Sequence, residues 1–309
     1  MTFSVQTEWW REFNPFTQLT NVPIPTDNAT RLKAIAGLLD DPSPSVRNAL
    51  IDELVSHGTA GRAFLNELCK GSDLELRKHA IAVLEVLDKD SPNKMFSRFI
   101  KSMNYELESG YFLLSRIEDP KIKVTDFMEK LDEMALRCQT LFTSPLGPRD
   151  RCRILNRVIF HEYGFTGNRS DFDNPDNTFL HTLFESRKGL PISLSILYLM
   201  VARRLELELE PVGIPGRFMV GCYLESEPFF IDVFENGVFR SLEDLLRFLD
   251  VNELEADLGH FGPCPVGEVL CRCCRNLAHQ YRLLCDDDKA DLYQSFVREF
   301  EAHFEKRST

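Results

Sequence analysis

This 309-residue chain lacks any uninterrupted apolar run of the length that crosses a bilayer as a helix, roughly 18 residues or more. Its longest apolar stretch, Gly189 to Ala202, is broken by Pro191, Ser193 and Ser195 and reads as a buried helix. No membrane partner is expected. A basic excess is also missing: 36 lysines and arginines face 48 aspartates and glutamates, for a net charge of −12. Residues 1–97 hold 10 basic and 13 acidic side chains, which leaves 26 and 35 for residues 98–309. Neither part has the cationic surplus that neutralising phosphates requires, so no nucleic-acid partner is expected. There is no P-loop and no GxGxxG sequence, and no cofactor is expected. The first residues show no basic segment leading into an apolar run, so no secretion signal is expected. The nine cysteines are odd in number and scattered, which reads as reduced thiols in a cytoplasmic protein.

The front of the chain is irregular, with Pro15, Pro23 and Pro25 and a Trp9-Trp10 pair that reads as packing under the helices that follow. An internal repeat then appears. Leu38 to Ala49 matches Leu68 to Ala80 at an offset of 30 residues, with one slip. Each unit places a Pro- or Gly-containing turn before an amphipathic helix. The stripes are Val46, Ala49, Leu50 and Leu54, then Leu76, Ala80, Val83, Leu84 and Leu87. This looks like HEAT-type repeats, although the period is short for them. Residues 1–97 are expected to form this all-α domain, and residues 98–309 a second one.

In the second part, helical stripes continue over Asp126–Cys138 and Arg151–Tyr163. A short helix bearing Phe179, Leu180, Leu183 and Phe184, capped by Asp176 or Asn177, is expected to end at Gly189, and Pro191 opens the next helix. Past residue 210 the residues turn β-branched and aromatic. Val212–Cys222, Phe229–Phe234 and Val238–Arg240 read as a small antiparallel sheet, with Asn236-Gly237 as a hairpin signal. Ser241 to Asp244 reads as a capping box. A helix pair over 266–305 closes the chain. Cys271, Cys273 and Cys274 lie in its first helix, where Cys271 and Cys273 point about 200° apart. They read as core thiols and no metal site is expected. The His161-Glu162 pair lacks a second histidine four residues on, so it is not a zinc-protease motif and His161 reads as solvated.

Several blocks in this second part carry a resemblance. Asn174 to Leu180, Arg187 to Leu194, Leu197-Tyr198, Ala202 to Leu205, Val212 to Val220, Phe230 to Phe234 and Gly237, with Val269-Leu270 and Asn276-Leu277 in the tail, closely resemble the SirB1 family, a divergent branch of transglutaminase-like proteins. The resemblance covers about residues 100–285. It implies an α+β fold with a papain-like core, one helix packed on a small antiparallel sheet. Active relatives of that fold place a Cys at the helix start, a His on the next strand and an Asp on the strand after, so that an imidazole oriented by a carboxylate activates a thiolate. On this alignment Pro191 takes the nucleophile position, Arg217 the histidine position, and only Asp232 remains. A proline is no nucleophile, and a guanidinium does not act as a base near neutral pH.

The expected function is therefore a non-catalytic adaptor that binds a peptide or protein. Arg217 and Asp232 are expected to pair across neighbouring strands, and with Asn177 and Arg187 they are the candidate binding residues. Family occurrence beside helical repeats and in proteins linked to regulated proteolysis agrees with that role. The alternative is a hydrolase or acyltransferase with a migrated nucleophile. Ser193 is its weak candidate and Cys222 a second, with His161, His181 or His260 as the base.

Overall fold

The computed structural model describes residues 91–143, 145–255 and 257–308 and, in the first 90 residues, one helix with scattered positions between Ile35 and Leu84. Its contacts divide the chain into two units, Met1–Asp90 and Ser91–Thr309. In the first unit, helix α1 (Gly58–Lys70) contributes Leu65 to a buried cluster with Ile35, Leu50, Leu54, Ala80 and Val83. Leu50, Leu54, Ala80 and Val83 belong to the two expected stripes, whereas Ala49 is exposed. Most of the repeat and the Trp9-Trp10 pair lie outside the described residues, and the HEAT-like front stays an expectation.

The second unit opens with α2 (Pro92–Ser102), so the boundary drawn at residues 97/98 falls within a helix. Phe96 and Ile100 of α2 are buried in the main core of this unit. Helices α3 (Leu107–Glu118), α4 (Val124–Leu141) and α5 (Pro148–Asn156) follow. The expected helix over Arg151–Tyr163 does not stay α-helical: α5 widens into a π turn over Arg157–Glu162, which leaves His161 exposed. Strand β1 (Thr166–Gly167) pairs in parallel with β2 (Lys188–Gly189).

The stretch between these strands departs from its reading in detail. Neither Asp176 nor Asn177 caps the helix. Instead Asn174 caps a 3-10 turn, Pro175–Thr178, by accepting from the Asp176 N–H at 2.9 Å. Helix α6 (Leu180–Ser186) then stops at Arg187, whose φ of +59° turns the chain before Gly189 is reached.

Helix α7 (Pro191–Arg204) is the centre of the unit. It is apolar on every side, and every residue from Ile192 to Ala202 is buried. A helix of that kind must be enclosed by other elements. It packs on the sheet at β4 and on α3 and α4. The sheet is antiparallel in the order β3 (Glu210–Ile214), β4 (Arg217–Cys222), β5 (Phe229–Asp232), β6 (Val238–Arg240). The expected single strand Val212–Cys222 is thus a hairpin. Its turn lies at Pro215-Gly216, where Gly216 has φ +71°, a conformation open to residues without a Cβ.

Alternation sorts the two faces of the sheet. Phe218, Val220, Cys222, Phe229 and Ile231 join the main core with α7. Val212, Ile214, Met219 and Phe230 pack instead with Leu245 and Leu249 of α8 (Leu242–Val251) and with Phe261. Ser241 and Asp244 form the expected capping box at the start of α8. Helices α9 (Val266–Leu283) and α10 (Asp287–Ser308) close the unit as an antiparallel pair, and α10 also packs on α2.

Candidate functional site

Three segments converge beside the N-terminus of α7. The first is the helix start itself. Leu190 is extended and Pro191 takes the first helical position, where its fixed φ suits the helix and its missing N–H leaves no helical bond unmade. The second is the β3–β4 turn, with Gly216, Arg217 and Phe218. The third is one side of α9, which runs from exposed His279 through Arg272 and Asn276 to buried Gln280. Together with Phe172 and Asp173 from the preceding loop they line a cleft of about 180 Å³.

Arg217 begins β4, on the sheet face that also carries Met219. Its guanidinium lies 4.7 Å from the centre of the Phe248 ring of α8. From there Nη2 reaches Asp232 Oδ2 at 3.1 Å, joining the two charges expected to pair. The contact is an ion pair by proximity, because Oδ2 has no aligned hydrogen bond. Asp232 ends β5 and is fully buried, with Oδ1 accepting the Glu235 N–H at 3.3 Å and Arg240 Nε 4.0 Å from Oδ2. Burial lifts the Asp232 carboxyl above the usual carboxylate range, against the pull of Arg217 and of the Glu235 N–H. Glu235 lies 3.9 Å from Arg217 and pairs with Arg169 at 2.5 Å; that hydrogen bond draws its carboxyl below the usual range. The five charges form a ladder of three cations and two anions along one end of the sheet.

Of the three residues expected from the resemblance to stand at triad positions, Pro191 and Arg217 line one cleft and Asp232 lies behind Arg217. Residues 125–275 match the transglutaminase-like superfamily. The blocks from Asn174 to Gly237 all fall within that span. A UPF0162 protein of Xylella fastidiosa (strain 9a5c) is 32% identical over 133 residues, which cover 41% of this chain and 47% of the relative. The F-box only protein 21 of Mus musculus is 33% identical over 154 residues, 45% of this chain and 24% of the relative. A UPF0162 protein of Vibrio cholerae is 24% identical over 159 residues, covering 56% of its length. The chain thus spans about half the length of these UPF0162 relatives and about a quarter of the F-box protein. No solved structure matches it.

The remaining candidate residues of the transglutaminase-like domain take structural positions. Ser193 is fully buried and is not among the side chains that line the cleft. Its hydroxyl donates to the Asn177 carbonyl at 2.7 Å and accepts the Leu190 N–H at 2.8 Å, so it ties the 3-10 turn to the start of α7. The Asn177 side chain bridges the same loop, accepting from Asn168 at 2.8 Å and donating to the Asp171 carbonyl at 2.5 Å. Arg187 lies over the Phe165 ring at 4.7 Å and does not line the cleft. Cys222 is buried in the main core, and burial raises its thiol above the ordinary value. The His181 ring stacks on Phe179, and His260 sits in a 3-10 turn over Leu258–Phe261.

Arg272, Asn276, His279 and Gln280 were missed by reading the sequence for catalytic residues. Their signal is a polar stripe at helical spacing that borders the apolar stripe of Leu270, Cys273 and Leu277, with Gln280 seven residues after Cys273 and on nearly the same face. Cys271, Cys273 and Cys274 are buried in the core. Among the described residues no group of three or more His, Cys, Asp or Glu side chains is placed to hold a metal ion, and no helix is long and apolar enough to cross a membrane.

Proposed function

We propose that the transglutaminase-like domain is a non-catalytic module that binds a peptide or protein segment in the cleft over Pro191. One observation carries this reading: no side chain lining the cleft bears a hydroxyl, thiol or amine. Acyl transfer of the thiol or serine type needs such a group beside a base, and the cleft's Asp173 and His279 have none there to activate. A guanidinium is no general base near neutral pH, and Arg217 is engaged with Asp232. The walls instead combine apolar surface from Leu190, Pro191, Ile192 and Phe218 with amide and guanidinium groups, a mixture suited to holding an extended chain. One relative that shares this region is named as an F-box protein, and the adaptor reading for this chain draws on that likeness. In this reading the protein works in the cytoplasm with its cysteines reduced.

The test is selection of peptides from a random display library on the full chain, followed by NMR mapping of the selected sequences. Binding is expected to shift the signals of Phe172, Asn276 and His279. Selected peptides that map elsewhere, or steady release of an alcohol or amine from activated ester and amide substrates, would refute the reading.

A further inference from the structure

The cleft contains a partly buried cation that, among the described residues, forms no ion pair. Arg204 pairs with Glu108 and Asp132, Arg275 with Glu268, and Arg217 with Asp232. Arg272 differs. Its Nη2 donates to two carbonyl oxygens, those of Ile214 and Arg217, at 3.2 Å each, and its guanidinium faces the Phe218 ring at 5.3 Å. Among the described residues it has no carboxylate partner. Burial, joined by the neighbouring Arg275 charge, pulls its pKa below the ordinary guanidinium value against the pull of Glu268. A charge held away from water without a counter-charge is costly, and an incoming anion relieves that cost.

A second group in the same cleft is also unsatisfied. Gln280 is 4% exposed and lines the cleft. Its Nε2 donates to the Phe172 carbonyl at 3.4 Å, while its Oε1 is buried with no donor. An unmet acceptor next to an unmet cation fits a ligand that brings one anion and one N–H. The positive end of the α7 dipole, at Leu190 to Ile192, adds to the attraction for the anion.

Resting on the peptide-binding reading above, we propose that the cleft captures a single carboxylate of a peptide through Arg272, with a neighbouring N–H of that peptide given to Gln280 Oε1. The charge count selects a carboxylate over a phosphate. Arg217 is engaged with Asp232, which leaves Arg272 as the cleft cation without an ion pair. A phosphate carries close to two negative charges and would also meet Asp173 on the exposed rim. A planar carboxylate fits the planar guanidinium.

The experiment is an NMR titration of the full chain with four short probes. Two are acetyl-Leu-Glu-Leu amide and its glutamine isostere. The others are acetyl-Leu-Leu with a free C-terminal carboxylate and its amide. At least one acid is expected to bind about tenfold tighter than its neutral partner, with shifts centred on Arg272, Asn276 and Gln280. Preference for the glutamate probe identifies a side-chain carboxylate; preference for the free acid identifies a chain terminus. Because Arg272 also clamps the β3–β4 turn, Arg272→Met is joined by the rim substitution Asp173→Asn. The first is expected to erase the acid preference. The second is expected to strengthen the acids about twofold and leave the neutral probes unchanged.

Equal affinity for acid and neutral probes in the cleft overturns the carboxylate assignment and leaves peptide binding standing. Displacement of the acids by inorganic phosphate at comparable concentration also overturns the assignment. Absence of cleft shifts with all four probes at about 10 mM, an affinity weaker than about 3 kcal/mol, overturns both readings.

Discussion

Arg217→Met tests whether the Arg217–Asp232 pair holds the end of the sheet together. The substitution keeps much of the side-chain stem over Phe248 and removes the nearest cation from a carboxyl that is 0% exposed. Removing one partner of a buried pair costs about 3–5 kcal/mol. Here the loss is reduced to about 2 kcal/mol, because Arg217 is itself 24% exposed and Arg240 remains 4.0 Å away. The penalty depends on pH, and the direction follows from the position of Asp232. Burial already places its folded pKa above the unfolded one. A group raised in this way contributes its stability fully below the unfolded value, about 3.9, and loses it as pH climbs through the folded value. Without Arg217 the folded value rises further, so the penalty grows from pH 5 to pH 8. Hydrogen-exchange mass spectrometry of the β4–β5 peptides reads this locally. Protection factors are expected to fall about 30-fold at pH 8 and clearly less at pH 5. An equal fall at both values, or the same pH dependence in an Asp232→Asn background, would refute the reasoning.

Three further outcomes can be checked directly. In iodoacetamide labelling of the folded protein near neutral pH, Cys138, Cys152 and Cys271, whose thiols burial pushes up to about 12, are expected to stay unmodified while exposed Cys285 reacts. A Cys222 that alkylates well below pH 8 would contradict this and revive a thiol enzyme. Ser193→Ala removes the donor to the Asn177 carbonyl and the acceptor for the Leu190 N–H, and should lower stability by about 1–3 kcal/mol in thermal unfolding. An unchanged midpoint would show that those bonds do not hold the start of α7. Gly237→Ala places a Cβ against the Asn156 amide at a φ of +81°. It should disturb the bonds from Asn156 to the Gly237 carbonyl and from Tyr198 to Asn156, at about 2 kcal/mol or more of stability. Unaltered exchange in the β6 peptide would refute it.

Much of this architecture was legible before any coordinates. The apolar stretch Gly189 to Ala202 reads as a buried helix, and α7, Pro191–Arg204, is enclosed. The capping box at Ser241 and the two closing helices follow from spacing alone. Misreadings fall where a single backbone angle decides. Val212 to Cys222 reads as one β-rich run, and its division at Gly216 depends on a left-handed residue that alternation does not reveal. The end of α6 at Arg187 is of the same kind: a non-glycine residue at positive φ stops the helix earlier than the glycine expected to do so.

What the sequence by itself determined about the site is chemical identity. Proline at 191 and arginine at 217 exclude a thiolate and an imidazole there, whatever the fold. Which groups surround those positions was decided only by tertiary structure. Gln280 reaches Phe172 across 108 residues, and Arg272 reaches Ile214 across 58. The Ser193 hydroxyl, a nucleophile on paper, is occupied by Asn177 and Leu190. Periodicity is a local property, set by 3.6 residues per turn or two per strand repeat. The partner of a charge is settled by which elements pack together, and whether that charge needs a partner is settled by how much water the packing removes. That is why Arg217 is satisfied and Arg272, on a helix more than fifty residues further along, is left facing the cleft with a charge to fill.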